Sequence, residues 1–480
     1  MATKIQQLDQ YRWRIPREGA MRTDGLVFAS PEMMKDLRRE QALEQVCNVA
    51  TLPGIVGPSM AMPDIHWGYG FPIGGVAAFD ATHGIVSPGG VGYDINCGVR
   101  LLRSKLNAEE VHPHLDRLAN ALYRNIPSGV GSHHSDFKLS MAEQKRVLTK
   151  GAAWAVAQGF GDKNELDYIE NHGTIAGADT EKVSERALER GRSQLGTLGS
   201  GNHFLEIQQV EAIYDEGAAA VLGLSQGQVT VSIHTGSRGL GYQVCDDYLK
   251  VMLKAARKYG ITLPDRQLCC APLQSDEARD YMAAMACAAN FAFANRQTIT
   301  SNVRETFEEV LGKGPADLHM ATIYDVCHNI AKWEQHTIGG RERKLCVHRK
   351  GATRAFPPGH KEIPAAYQSI GQPVLVPGDM GRYSYVLTGT AGAYEETFGS
   401  SCHGAGRALS RHAAKKAARG RDIIGDLAKQ GIVVRAAGRA TVAEEMPEAY
   451  KDVAEVVQVV EQAGLGRIVA RLKPMAVVKG

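Results

Sequence analysis

The stretch AAMACAANFAFA (residues 283–294) lies inside a longer helical pattern covering residues 276–310. Its side chains are small or apolar on every face, so no face is left for water and the segment belongs deep in a core. Around it, helical periodicity marks 31–49, 142–156, 181–193, 245–258, 406–427 and 451–463. Runs rich in β-formers mark 228–234, 344–348, 373–376, 383–387 and 431–436. Helices and strands mix without regular βαβ alternation, and no GxGxxG or GxxxxGK[ST] motif opens a helix. The pattern predicts an α+β fold in one domain, residues 1–480, with several glycine-rich loops converging.

Bulk composition narrows the function. The 480 residues are 44% hydrophobic and 22% charged, values of a globular chain with ample core material. A formal charge of only +3 means that any basic surface is local. Fifty-two glycines imply many turns and close backbone approaches. The N-terminal MATKIQQLDQYRWRIPREGAM is too polar for a signal peptide, and no 18-residue apolar run follows, so no membrane segment is expected. Nine scattered cysteines argue against a disulfide framework and for a reducing, cytoplasmic setting.

Five stretches combine metal-competent residues with glycines or strand ends. VGYDINCG (91–98) holds Asp94 and Cys97, and GSGNHFLE (199–206) holds Asn202, His203 and Glu206. VSIHTGSRG (231–239) ends a β-rich run on His234, and YDVCHNIAK (324–332) holds Asp325, Cys327, His328 and Asn329. The fifth is SSCHGAGRALSRHAAKK (400–416), with Cys402, His403 and a basic helical pattern after a Gly-Ala-Gly turn. Carboxylate, thiolate and imidazoles together can hold one or two divalent transition metals, and two ions close together can act on one phosphate. Manganese, zinc and iron all fit such a set, with hard oxygens favouring manganese. Each stretch also has a plainer reading: buried cysteine, structural histidine, turn aspartate.

Phosphate signals accompany them. A glycine turn running into a helix at His403 predicts free backbone N–H groups and a positive dipole end, an anion site. PGDMGRYSYVLTG (377–389) offers further N–H donors with Ser384 and Tyr385. RERKLCVHRKGATRAFPPG (341–359) carries six Arg or Lys, and Arg407, Arg411, Lys415, Lys416 and Arg419 extend a basic face after His403. Together they point to a polyanionic substrate.

These stretches resemble the RtcB family of RNA-splicing ligases over nearly the whole chain. The matches run from PDIHWGYGFPIGG through VGYDINCGVR, QLGTLGSGNHFLEI, HTGSRGLG, NFAFANR, YDVCHN, VHRKGATRAFPPG, PGDMG, SYVLTG and SCHGAGR to the terminal KG. The resemblance implies a compact single-domain fold with a central metal and nucleotide cleft. It implies a GTP- and Mn²⁺-dependent ligase joining an RNA 3′-phosphate or 2′,3′-cyclic phosphate to a 5′-hydroxyl, in tRNA splicing or RNA repair. His403 matches the histidine that takes GMP from GTP. Two Mn²⁺ ions match Asp94, Cys97, His203, His234 and His328, with Cys97 bridging. The GMP site matches Asn202, His203, Phe204, Leu205 and Glu206, then His328 and Asn329. It continues with Pro377, Gly378, Asp379, Met380 and Ser384, then His403, Gly404, Ala405 and Gly406, and ends on Tyr450 and Lys479. Of these, Glu206, Ser384, Tyr450 and Lys479 match guanine-reading positions, and Arg238 and Arg411 match positions facing RNA phosphates. An archease-type activator is an implied partner.

Asp64 and His66 also match, Asp64 as support beside the site or as a turn residue. Trp67 stands where the family commonly has glutamine. Asp379 stands where the family commonly has a small or alternative residue, and it sets a carboxylate beside the expected triphosphate. Two other functions fit parts of the pattern: a metal-dependent cyclic phosphodiesterase or phosphatase without ligation, which needs no nucleophilic His403, and an RNA-binding or chaperone-like protein with a structural metal.

Overall fold

A computed structural model describes residues 4–134 and 138–480. The small-residue stretch is the centre of one 36-residue helix, Asp276–Leu311, capped by the Ser275 hydroxyl and ended at Gly312 with φ +63°. Every residue from 284 to 300 is buried, because the helix is packed by the helices Arg238–Lys258, Met141–Lys150, Ala152–Ala157 and Leu115–Asn125 and by the strand Gln228–Thr235.

Two large sheets flank this core. The first orders Gln6–Gln7, Arg12–Ile15, Gly25–Phe28, Ile55–His66, Ile73–Asp80, Arg341–Lys350 and Asn329–Ile338. The second orders Ala321–Cys327, Gly98–Asn107, Gln228–Thr235, Phe204–Ile213, Arg467–Lys479, Ser384–Thr388 and Pro373–Val376, with Val433–Ala436 parallel to Arg467–Lys479. Helices segregated from largely antiparallel sheets make this the expected α+β class. The chain passes from the second sheet (Ala321–Cys327) to the first (Asn329–Ile338) through one residue, His328. That crossing defines the seam on which the site lies.

Some periodic blocks break. Residues 142–156 form two helices, Met141–Lys150 and Ala152–Ala157, because Gly151 takes φ +55° between them. Residues 31–49 likewise divide into Pro31–Leu37 and Ala42–Val49. Residues 406–427 divide into Arg411–Ala417 and Ile423–Lys429. In each case separate short segments bury their own apolar faces, which periodicity alone cannot distinguish from one helix.

The long helix is tied to the second sheet by ions as well as by packing. Asp325 lies between two guanidinium groups, 2.8 Å from Arg100 Nε and 2.8 Å from Arg296 Nη2, all three fully buried. Asp325, one of the metal-competent residues, is therefore an internal counter-ion. Asp325→Ala strands two buried cations and is expected to cost about 3–5 kcal/mol, read as a lower urea midpoint at unchanged m-value. A midpoint equal to the parent's would show that the pair does not hold helix to sheet.

Candidate active site at the seam between the sheets

Antiparallel pairing brings four ligand candidates together at one end of neighbouring strands. Cys97 precedes the strand Gly98–Asn107, His203 precedes Phe204–Ile213, His234 closes Gln228–Thr235, and His328 follows Ala321–Cys327. Register fixes the meeting: Gly98 pairs with Thr235 and with Cys327, and His234 pairs with Phe204. The Cys97 Sγ lies 3.4 Å from His203 Nε2 and 3.3 Å from His234 Nε2. Asp94 Oδ2 is 2.7 Å from His203 Nε2, and the Nε2 atoms of His234 and His328 face each other at 3.3 Å.

Two donor triads result, Asp94–Cys97–His203 and Cys97–His234–His328, each with its ligand atoms within 4.8 Å of one another. Lone pairs converging from imidazole, thiolate and carboxylate are what a divalent transition ion requires, so the donor set fits a metal in each triad with Cys97 common to both. Burial drives His234 and His328 well below the usual imidazole range, leaving them neutral and able to ligate. Burial, and then the neighbouring Asp94, lift the Cys97 thiol well above its usual range, so a cation there displaces a proton.

His403 approaches from the other side. The strand Ser400–Cys402 pairs with Ala352–Arg354, and Ala352 N–H donates to the His328 carbonyl at 3.2 Å. The His403 ring centre stands 4.9 Å from that of His328. Asp64, fully buried in the strand Ile55–His66, accepts His403 Nδ1–H at 2.5 Å through Oδ2. The same oxygen accepts the backbone N–H of His403 at 2.9 Å and of Gly404 at 3.2 Å. Asp64 thus fixes ring and tautomer, leaving Nε2 as the unprotonated nitrogen. Gly406, at φ +74°, passes so close to the Asp64 carbonyl that a Cβ would meet its oxygen at 2.2 Å.

This overturns the expected helix-end anion site. The helix begins only at Arg411, under its own Ser410 cap. The N–H groups of His403 and Gly404 serve Asp64, and that of Ala405 serves the Pro377 carbonyl at 3.0 Å. The N–H groups of residues 403–405 therefore hold the turn against Asp64 and Pro377 rather than standing free for a phosphate.

Both groups open into one cavity of about 480 Å³. Asp94, Cys97, His234, His328, Asn329 and His403 line its metal end. Its other wall comes from Asn202, Phe204 and Glu206, then Pro377, Gly378, Asp379, Met380 and Ser384, with Gly404, Ala405 and Gly406 between the ends. Arg411, Tyr450 and Lys479 complete it. Three expected site residues stand off this lining. His203 reaches its triad from behind. Leu205 points to the opposite face of its strand, into the cluster with Leu102, Ile207 and Ile233. Arg238 lies behind the wall, donating to Thr197 Oγ1 and Ser132 Oγ, each at 3.1 Å.

Burial lifts the Glu206 carboxyl to about 8, against a 2.7 Å hydrogen bond from Gln208 Nε2. Asp379 does not leave a bare charge: Oδ1 accepts the N–H groups of Gly381 and Arg382, and Oδ2 accepts Arg382 Nε at 2.6 Å. The 341–359 run is less of a basic surface than its composition suggests. Arg349 is buried against Glu334, Arg354 is buried and reaches Glu362, and Lys350 is buried on the backbone carbonyls of Tyr69, Phe71 and Gly89.

With this geometry in place, sequence comparison settles the kinship. The family described as tRNA-splicing ligase RtcB matches residues 45–480. The chain belongs to the RtcB family. The tRNA-splicing ligase RtcB of Thermococcus kodakarensis is 54% identical over 477 residues, 99% of each chain. That of Archaeoglobus fulgidus is 54% identical over 478 residues, also 99% of each. The RNA-splicing ligase RtcB of Mycobacterium tuberculosis is 54% identical over 438 residues, 91% of this chain and all of its own.

Within this RtcB chain, sequence reasoning passed over Glu445 and underrated Asp64. Glu445, fully buried on the cavity wall, accepts the Tyr450 hydroxyl, accepts Arg407 Nη1 at 3.0 Å and lies 3.7 Å from Lys479 Nζ. No motif spacing signals it, because its partners are brought together only by the fold. The shared Cys97 makes a sharp expectation for metal content. Cys97→Ala should lose most bound metal by elemental analysis after loading with Mn²⁺, whereas His203→Ala, which belongs to one triad, should lose about half. Equal losses in both variants would contradict two overlapping sites.

Proposed function

We propose that the protein is an RNA ligase of the tRNA-splicing class, a single domain that joins an RNA 3′-phosphate or 2′,3′-cyclic phosphate to a 5′-hydroxyl with GTP as second substrate. The observation that carries the reading is the Asp64–His403 pair opening onto the two metal triads. A metal-dependent hydrolase activates water on its ions and needs no covalent histidine, so an oriented imidazole beside both triads favours nucleotide transfer.

His403 Nε2 attacks the α-phosphate of GTP, forming an N–P bond as pyrophosphate leaves. Asp64 keeps Nδ1–H in place and steadies the positive charge that grows on the ring. His403 then passes GMP to the RNA 3′-phosphate, and the 5′-hydroxyl displaces GMP as the phosphodiester forms. A cyclic phosphate is first opened by water. When bound, a divalent pair, Mn²⁺ on the family resemblance, supplies Lewis-acid neutralisation of the phosphate oxygens. Asp94, Cys97, His203, His234 and His328 would hold it. Glu206, Ser384, Tyr450 and Lys479 face the guanine, while Arg411, with 61% of its side chain exposed at the cavity, suits an RNA phosphate. Arg238 stands off the cavity lining and would meet an RNA phosphate only by leaving Thr197 and Ser132. An archease-type protein is the expected activator. No helix among the described residues is long and apolar enough to cross a membrane, and nine free cysteines, eight of them buried, accord with a reducing cytoplasm.

The test is denaturing-gel labelling with α-³²P-GTP and Mn²⁺. The parent should take an acid-labile, alkali-stable label. His403→Ala should take none at an unchanged melting temperature, and Asp64→Asn should label about 10²–10⁴-fold more slowly. Cyclic-phosphate hydrolysis by an unlabelled parent would instead establish the phosphodiesterase.

Glu206 gives a pH signature. An acceptor for guanine N–H donors must be ionised, and this carboxyl titrates near 8. Ionisation increases as pH rises through that value, so the KM for GTP should fall severalfold between pH 6.5 and 8.5. Glu206→Gln should flatten that dependence; a parent KM independent of pH would remove Glu206 from base recognition.

A further inference from the structure

We propose that the rim of the cleft carries a base-stacking subsite for single-stranded RNA, built on Tyr242; the proposal rests on the ligase reading above. Tyr93, immediately before the ligand Asp94, stacks on Tyr242 with ring centres 4.7 Å apart and planes 24° from parallel. Tyr69 meets the edge of Tyr93 at 5.4 Å. All three tyrosines line the cavity that holds Cys97 and His403.

The platform is rigid below and open above. Tyr69 and Tyr93 are partly buried against the largest apolar cluster, while Tyr242 remains 47% exposed in the helix Arg238–Lys258. The Arg190 guanidinium lies 5.1 Å from the Tyr242 ring centre, so that ring already attracts a planar cation. Arg190 is exposed, and its hydrogen bond to Gln243 Oε1, at 3.0 Å, is its tether. Its side chain can yield the ring to a nucleobase and pair with the adjoining phosphate.

The chemistry suits the substrate class. Every base has a π-face, so stacking on an aromatic ring adds affinity without demanding sequence. A ligase that recognises RNA by its ends needs that kind of grip on the nucleotides beside the junction. A pre-stacked Tyr93–Tyr242 pair, one residue from a metal ligand, supplies it with little ordering cost.

Fluorescence anisotropy tests this with two single-stranded RNAs ending in a 5′-hydroxyl, one normal and one abasic at the three nucleotides nearest that end. The parent and Tyr242→Phe should prefer the normal RNA by about tenfold. Tyr242→Ala should lose the preference while binding the abasic RNA as the parent does. The salt dependence of binding should persist in Tyr242→Ala and weaken in Arg190→Ala. A Tyr242→Ala protein that keeps the preference, or loses affinity equally for both RNAs, overturns the subsite. GTP labelling of the same preparations separates the two readings: label without base preference removes the stacking subsite alone, and no label with no RNA binding removes the ligase reading too.

Discussion

Asp325 and the two guanidinium groups it separates fix more than one helix. Arg296, from the buried centre of the long helix, reaches past Asp325 to the carbonyls of Asn96 and Thr235, each at 2.9 Å, and to Asn96 Oδ1 at 3.0 Å. Asn96 lies between Asp94 and Cys97 and holds the left-handed φ of +52°; Thr235 follows His234. One buried side chain therefore sets the backbone beside both Cys97 and His234. Asn96 adds its own brace, donating Nδ2–H to the Ala289 carbonyl at 2.7 Å. Removing two cations and a carboxylate from water is unfavourable unless each is well paired. That the chain does so directly behind its ligand loops makes positional accuracy at Cys97 the property secured, with stability a by-product of satisfied pairing.

The parts of the molecule that sequence made legible are those carried by local pattern. The burial of 284–300 follows from small apolar side chains, and ligand candidates follow from residue type beside glycines and strand ends. What pattern could not supply is pairing across the fold. Arg349 and Arg354 look like solvated charge in sequence, yet both are buried, Arg349 on Glu334 and Arg354 between buried Glu170 and the more exposed Glu362. Asp379 looks like an intrusive charge, yet Arg382, three residues on, takes it up. Asp64 was ambiguous because its partner lies 339 residues away. The Gly-Ala-Gly turn is opaque for the same reason: the acceptors of the Gly404 and Ala405 N–H groups, Asp64 and the Pro377 carbonyl, are remote in sequence.

Division between the sheets explains how His403 and the two donor triads stay in register. The donor triads belong to the strand ends of the second sheet, whereas Asp64 belongs to the first. His328 is the residue through which the chain crosses between them, and the ribbon bearing His403 is hydrogen-bonded to its carbonyl. The 4.9 Å between the His328 and His403 rings is thus set by strand pairing rather than by a loop.

The commitment of the turn's N–H groups has a chemical consequence. Acyl- and phosphoryl-transfer sites commonly steady developing negative charge with preorganised backbone donors. Here the N–H groups of 403, 404 and 405 are already engaged, two by Asp64 and one by Pro377. A phosphate at His403 Nε2 finds no backbone donors from these three residues. The charge must then be met by cations: the ions that the two triads would hold, and the side chains of Arg411 and Lys479 on the same cavity. Lys479 is partly engaged by Glu445, and burial lowers the tendency of its amine to stay charged. The metal end therefore carries the larger share. By giving its backbone donors to Asp64, the fold makes the orientation of His403 independent of the substrate, and in the proposed ligase its reactivity would depend on the triads that meet at Cys97.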